Sequence, residues 1–382
     1  RARHALHGLN VVLNAMFQQF PVVLGARQRD PGQADTRPGL LTTLDSMLAM
    51  ADGETATIKL LSVERVGAGR LRVQVEVRND TGHFLPSGVN FRRTFIELAV
   101  RDAQGEPVWI SGATDALGVL RSGAGESAPL PGERLEPDPA APDDICRQRI
   151  PASAVQPHFT CIDRQDAVQI YQEVVADASG GLTSSFVERF RTLKDNRLRP
   201  RGFDPLFFWK PTWFAERGDP GLPFVQALGA LCGVGDDADY RDPQRAGADR
   251  LTYLIDLGSA RDLRRAAAVT ATLYHQSTPP PYLQQRFRDA HCGAQMRDDI
   301  ERLYAIGARL NTEAPMGAAK KPALRGWKVR LASDRVAARR WREAAVDDKF
   351  TCAPPAAPGC VDPETLVAIE PVCPGPAPAV VE

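Results

Sequence analysis

Two periodicities alternate along the chain. In residues 3–20, RHALHGLNVVLNAMFQQF, the positions Leu6, Leu9, Leu13, Met16, Phe17 and Phe20 fall on one stripe, which predicts a helix. Residues 40–50 predict a second, short helix. The period then drops to two. In RLRVQVEVRND, Leu71, Val73, Val75 and Val77 face one way, while Arg70, Arg72, Gln74, Glu76 and Arg78 face the other, the mark of a half-buried strand. TATIKLLSVERV, joined to it through Gly67-Ala68-Gly69, is its expected antiparallel partner. RRTFIELAVRD repeats the alternation at Ile96, Leu98 and Val100, and the turn DAQGEP leads into VWISG. The expectation is a meander of about four strands forming one sheet of a sandwich.

Residues 121–165 are rich in Pro, Gly and charge and read as one long irregular loop, of the kind that carries function or covers a surface. DAVQIYQEVVAD fits strand or helix. TSSFVERFRTL predicts a helix capped by Thr183 or Ser184. DRLTYLIDL and AAAVTATLYHQS alternate again and read as a further antiparallel pair. YLQQRFRDAHCGAQMRDDIERLYAIGARL is helical in pattern with a break near Gly293, and GWKVRLAS predicts a last strand. The expected fold is mainly β with α: an antiparallel β-sandwich, an Ig-like meander, with flanking helices and long irregular loops. The expected organisation is a helical segment over 1–50, the sandwich with its loop insertions over 51–349, and a Pro/Ala/Cys-rich tail over 350–382.

Charge changes this picture little. The 382 residues hold 47 basic and 47 acidic side chains, so no global field attracts nucleic acid or an anionic membrane. No apolar run nears the ~20 residues that cross a bilayer. The first residue is Arg1 and no signal peptide is visible, so the expectation is a processed, trimmed or excerpted chain. Seven cysteines are present and none lies in a CxxC or CxxCH pattern, which excludes zinc-ribbon spacing and covalent c-type haem attachment within this chain. Cys146 and Cys161 flank a proline-rich loop, and Cys352 and Cys360 flank APPAAPG. Cysteines that close loops suggest disulfides and an oxidising compartment, the alternative being scattered buried thiols.

No nucleophile elbow, phosphate loop, dinucleotide fingerprint or HExxH occurs. Asp236, Asp237 and Asp239 form an acidic run that could ligate calcium, although the spacing departs from an EF-hand. Six histidines remain: His4, His7, His83, His158, His275 and His291. His158 and His291 read as surface or hydrogen-bonded residues, and His275 as a satisfied core residue on its strand. His83 stands apart in NDTGHFLPSG. Gly82 and Gly88 permit tight backbone geometry and Pro86 stiffens it. Such a turn can aim an imidazole as an axial haem or metal ligand, or the side chain can simply cap its own turn; the residues alone leave both open.

Four stretches, in order, resemble large secreted multihaem cytochromes c, in which a CxxCH-bearing portion precedes a haem-free, β-rich region. NDTGHFLPSGVNFRRTFIELAVRDAQGEPVWISG (79–112) is similar to their turn with GH, P-[ST]-G, a paired arginine and V-W-x-S-G. RHALHGLN (3–10) looks like their H-x-x-x-G-x-N helix start. QIYQEVVADASGGLTSSF…LKDNRLRPRGFD (169–204) and VTATLYHQSTPPPYLQQRF (269–287) resemble two further segments. The resemblance implies that His4 and His83 are candidate axial ligands to haem c, with His7 a further candidate on the same face as His4. With no CxxCH here, that haem would be supplied by an upstream segment or a partner chain. It further implies a periplasmic, outer-membrane-associated or extracellular electron-transfer assembly, with a redox partner protein and no bond chemistry of its own. A secreted adhesion or scaffold module, and a non-catalytic part of a haem oxidoreductase, are the alternatives.

Overall fold

The computed structural model describes residues 8–27, 37–204, 232–293, 296–344, 351–357 and 359. The chain enters through α1 (Val11–Gln19) and α2 (Gly39–Ala51). It continues with β1 (Ala56–Arg65), β2 (Arg70–Asn79), β3 (Arg93–Asp102) and β4 (Pro107–Ser111). After the long loop come β5 (Cys161–Ile162), β6 (Ile170–Ala176), β7 (Leu182–Thr183) and β8 (Arg191–Asp195). Then follow α3 (Ala238–Arg241), β9 (Ala248–Asp256), α4 (Ala260–Arg265) and β10 (Ala266–Gln276). The last elements are α5 (Pro280–His291), α6 (Arg297–Gly307), β11 (Pro315–Met316), β12 (Lys321–Pro322), β13 (Val329–Ala337) and β14 (Arg342–Glu343).

The fold is a mainly antiparallel β-sandwich with flanking helices. One sheet has the order β14-β1-β2-β9-β5; the other runs β13-β10-β3-β6-β7, with β4 on β3 and β8 on β6. The expected four-strand meander is therefore split. β1 and β2 pair in the first sheet, whereas β3 and β4 pair in the second. The two later strands do not pair with each other either: β9 lies on β2 and β10 on β3. The apolar rows explain the arrangement. Leu71, Val73 and Val75 stand opposite Ile255, Tyr253 and Leu251, which makes one continuous apolar face. Ile96, Leu98 and Val100 stand opposite Leu273, Ala271 and Val269 and supply the facing layer.

Strand β3 is buried on both faces. Its inner side meets the sandwich core, and on its outer side Phe95 packs with Leu120 and Leu130 of the long loop and with Val168 and Ile170. The loop thus covers a sheet. In α1 the buried residues are Val11, Val12, Asn14, Ala15 and Met16, while Leu13 and Phe17 are 40% and 38% exposed, so the core-facing stripe is rotated from the expected one. The segment read as a helix from Thr183 is strand and turn: Arg191–Asp195 pairs with β6, while Phe186, Val187 and Phe190 point to solvent. Their helical spacing reflects no buried face.

Two disulfides join Cys146 to Cys292 and Cys161 to Cys352. They correct the expected loop closures: each bond ties remote segments rather than the ends of one loop. Cys232 is also disulfide-bonded. Among the described residues no helix is long and apolar enough to cross a membrane.

Candidate functional site

The histidine turn is organised by Asn79, the last residue of β2. Its side-chain amide donates to the carbonyls of His83 (2.7 Å) and Leu198 (3.0 Å). Its Oδ1 accepts from the Thr81 amide (2.9 Å) and hydroxyl (2.7 Å). A buried asparagine thus meets four groups at once and supplies the acceptor for the Thr81 amide. Leu85 and Leu198 exchange backbone hydrogen bonds of 2.9 Å in both directions, anchoring the turn to the segment LKDNRLRP. Gly88 adopts φ +84°, and a Cβ there would come within 3.0 Å of the Arg92 guanidinium. That guanidinium donates to Ser87 O (3.1 Å) and to Asn10 Oδ1 (3.2 Å) at the start of α1.

His83 is exposed on this frame. Its Nδ1 lies 3.0 Å from the carbonyl oxygen of Phe84. A carbonyl only accepts, so in the neutral ring Nδ1 carries the proton and Nε2 has the lone pair. The ring opens on a cleft of about 690 Å³, lined also by Glu54, Asp80, Arg92 and His275. His275 is buried with Nδ1 3.3 Å from the Thr94 hydroxyl, in keeping with a satisfied core residue. Burial, with the Arg92 charge, pulls its pKa down to about 3, so it stays neutral. His4 and His7 lie outside the described residues.

A second cluster was not legible as a site. His158 is buried, with Nε2 2.8 Å from Asp237 Oδ2. Its Nδ1 faces the side-chain amides of Gln169 (2.9 Å) and Asn196 (3.3 Å). Asp249, fully buried on β9, accepts at Oδ2 from Gln169 (2.9 Å) and from the Tyr171 hydroxyl (2.7 Å), and its Oδ1 has no partner. Ligand atoms of His158, Asp237 and Asp249 lie within 4.8 Å of one another, close enough to suggest an ion. The hydrogen-bond chemistry argues otherwise. Gln169 and Asn196 turn their oxygens to the backbone amides of Phe159 and Gln172, so both present NH₂ to Nδ1. Nδ1 therefore accepts and Nε2 holds the proton, which Asp237 receives; a metal at Nε2 would require the opposite tautomer.

Burial raises the Asp237 carboxyl, but the His158 hydrogen bond and the helix-capping amide of Asp239 outweigh it and hold the group below its usual range. Burial pushes Asp249 up to about 6. The remaining acids of the expected calcium run have their own partners. Asp239 takes Arg245 (2.7 Å) and Arg250 (3.1 Å), and exposed Asp236 pairs with Arg241 (3.1 Å). The one local signal for Asp249 was its place at the head of the Leu251, Tyr253, Ile255 face, where a carboxylate shares the register of a buried apolar row. Asn196 and Leu198 connect the two clusters, one touching His158 and the other the His83 turn.

No protein-family model matches the chain, and no curated protein does. Among solved structures it is similar to a penta-heme cytochrome c552 from Thermochromatium tepidum, with a TM-score of 0.33 and 14% identity, over 76% of this chain. The chain spans 40% of the length of that protein, and a likeness of this size leaves function to be argued from the residues themselves.

Proposed function

We propose that this chain is the haem-free region of a multihaem c-type cytochrome assembly, and that His83 offers Nε2 as an axial ligand to haem c held by another segment or a partner chain. The observation that carries the reading is the Nδ1–H to Phe84 carbonyl bond on an exposed imidazole. It is the arrangement by which ligating histidines are oriented and their tautomer fixed. The residues fit the group: a free lone pair, a rigid turn and an adjoining cleft. Haem would supply one-electron redox chemistry. The protein's part is to hold and cover. Asn79 fixes the turn, Arg197 stacks over the Phe84 ring at 5.1 Å, and the cleft walls shield what enters from water. His4 and His7 are proposed as further ligands of the same kind, and calcium at Asp236, Asp237 and Asp239 would need displacement of their present arginine and His158 partners. The disulfides suit an extracytoplasmic compartment.

The optical spectrum of the protein purified natively from its source tests this. A Soret band with low-spin features in material containing this chain is expected. Native material in which neither the chain nor its stable partners contain haem would refute it.

A further inference from the structure

At one end of the sandwich, arginines collect. α4 ends in Arg264 and Arg265 and carries Arg261 one turn earlier. β10 begins at once, with Ala268 opposite Ala337 of β13. β13 runs directly into the turn Ala338–Arg340 and then into β14 with Arg342. That register sets the end of α4 beside residues 338–342. Arg261, Arg264, Arg265, Arg339, Arg340 and Arg342 are all exposed. Among the described residues none of the six is ion-paired, whereas arginines elsewhere on the surface commonly are, as Arg325 is with Glu313. The nearby acids are engaged: Asp262 with Ser259 at the start of α4, Glu343 with Arg65, Glu64, opposite Arg342, with Arg72, and Asp102, opposite Ala266, with the amides of Gln104 and Glu106. A helix dipole accounts for cations at 264 and 265 but for none of the others.

In a chain whose charges cancel overall, this is a strong local field. The surface is also rigid. Trp341 is buried, donates from Nε1 to Val336 O (3.3 Å) and lies under the Arg65 guanidinium, which in turn holds Ala338 O (3.0 Å). Half-buried Leu263, Val336 and Ala338 lie among the arginines and pack on the main core. Guanidinium forks among half-covered apolar side chains match the make-up of protein interfaces, and such forks bind carboxylates in bidentate fashion.

We propose that this end of the sandwich is a docking surface for an acidic protein face, dense in Asp and Glu carboxylates. It does not depend on haem. It would raise the encounter rate with that partner and make association salt-dependent.

The test uses the full chain with immobilised poly-L-glutamate as the probe. Vesicles of phosphatidylcholine with phosphatidylglycerol, and a DNA duplex, are separate arms. Binding to polyglutamate is expected, weakening steadily with salt. The combined variant Arg264→Gln, Arg265→Gln, Arg339→Gln, Arg340→Gln should bind about tenfold more weakly or worse and with a flatter salt dependence. The same four positions changed to Lys should keep the salt slope, which separates loss of charge from loss of fold. A control with Arg297, Arg302, Arg325 and Arg330 changed to Gln removes four ion-paired arginines and should alter affinity by less than about twofold. The proposal is overturned if the native chain ignores polyglutamate, if the control loses as much as the patch variant, or if vesicles or DNA bind more tightly than polyglutamate at equal salt.

Discussion

His83 and Asp249 show opposite ways in which one residue can be read. His83 stands in a stretch whose glycines, proline and asparagine act locally, so the turn and its exposed imidazole could be anticipated. Its tautomer could not, because that depends on the Phe84 carbonyl, 3.0 Å away in a conformation the residue types do not specify. Asp249 sits on an apolar strand face and meets His158 from one remote segment and Gln169 and Tyr171 from another, a convergence that its own strand does not reveal. It carries a definite pH prediction. Its folded pKa of about 6 stands above the ordinary 3.8, so the folded state binds this proton more tightly than the unfolded state. Stability from this group is full below about pH 4 and is lost as pH rises through 6, by about 3 kcal/mol at ~1.4 kcal/mol per unit. Denaturant unfolding of wild type and Asp249→Asn at several pH values measures it. The wild type should lose stability relative to the variant across that window, and parallel pH profiles would remove the claim.

Among the elements, strands β1 to β4 were legible because period-two alternation follows directly from the pleat, as Leu71, Val73, Val75 and Val77 show. Which sheet each strand joins was not, since pairing such as Val73 with Tyr253 is decided by matching whole apolar rows far apart in the chain. The misread helix at Thr183 teaches the same point from the other side. Phe186, Val187 and Phe190 are spaced as a stripe but are 63–94% exposed, and pairing to β6 overrode the spacing. The histidine turn is an element in its own right, with Asn79 as its hub. Asn79→Ala removes four hydrogen bonds and leaves the Thr81 amide without its acceptor, while Leu198 O keeps the Leu85 amide and His83 O keeps the Thr81 hydroxyl. The expected cost is about 1–2 kcal/mol by urea denaturation, from four lost hydrogen bonds and one unpaired amide. A loss under about 0.5 kcal/mol would mean the turn holds itself without Asn79.

Across the whole molecule, α1, α2 and both sheets share one hydrophobic cluster, so the helices stabilise the frame that aims the turn. The Cys146–Cys292 and Cys161–Cys352 disulfides close loops of 146 and 191 residues, separations no local cysteine pattern could reveal. Each should restrict the unfolded chain by about 5 kcal/mol in the loop-entropy description. Adding reductant should lower the thermal midpoint markedly, and an unchanged midpoint with all thiols alkylated would show that the bonds contribute nothing. The central claim concerns an assembly: an imidazole on this chain completing the coordination of haem held elsewhere. Its most direct test is low-temperature electron paramagnetic resonance of the native haem-loaded protein, compared with the same protein carrying His83→Ala. The account predicts that one low-spin bis-histidine signal is lost and a high-spin or altered-ligand signal takes its place. A spectrum identical to that of the native protein would contradict it.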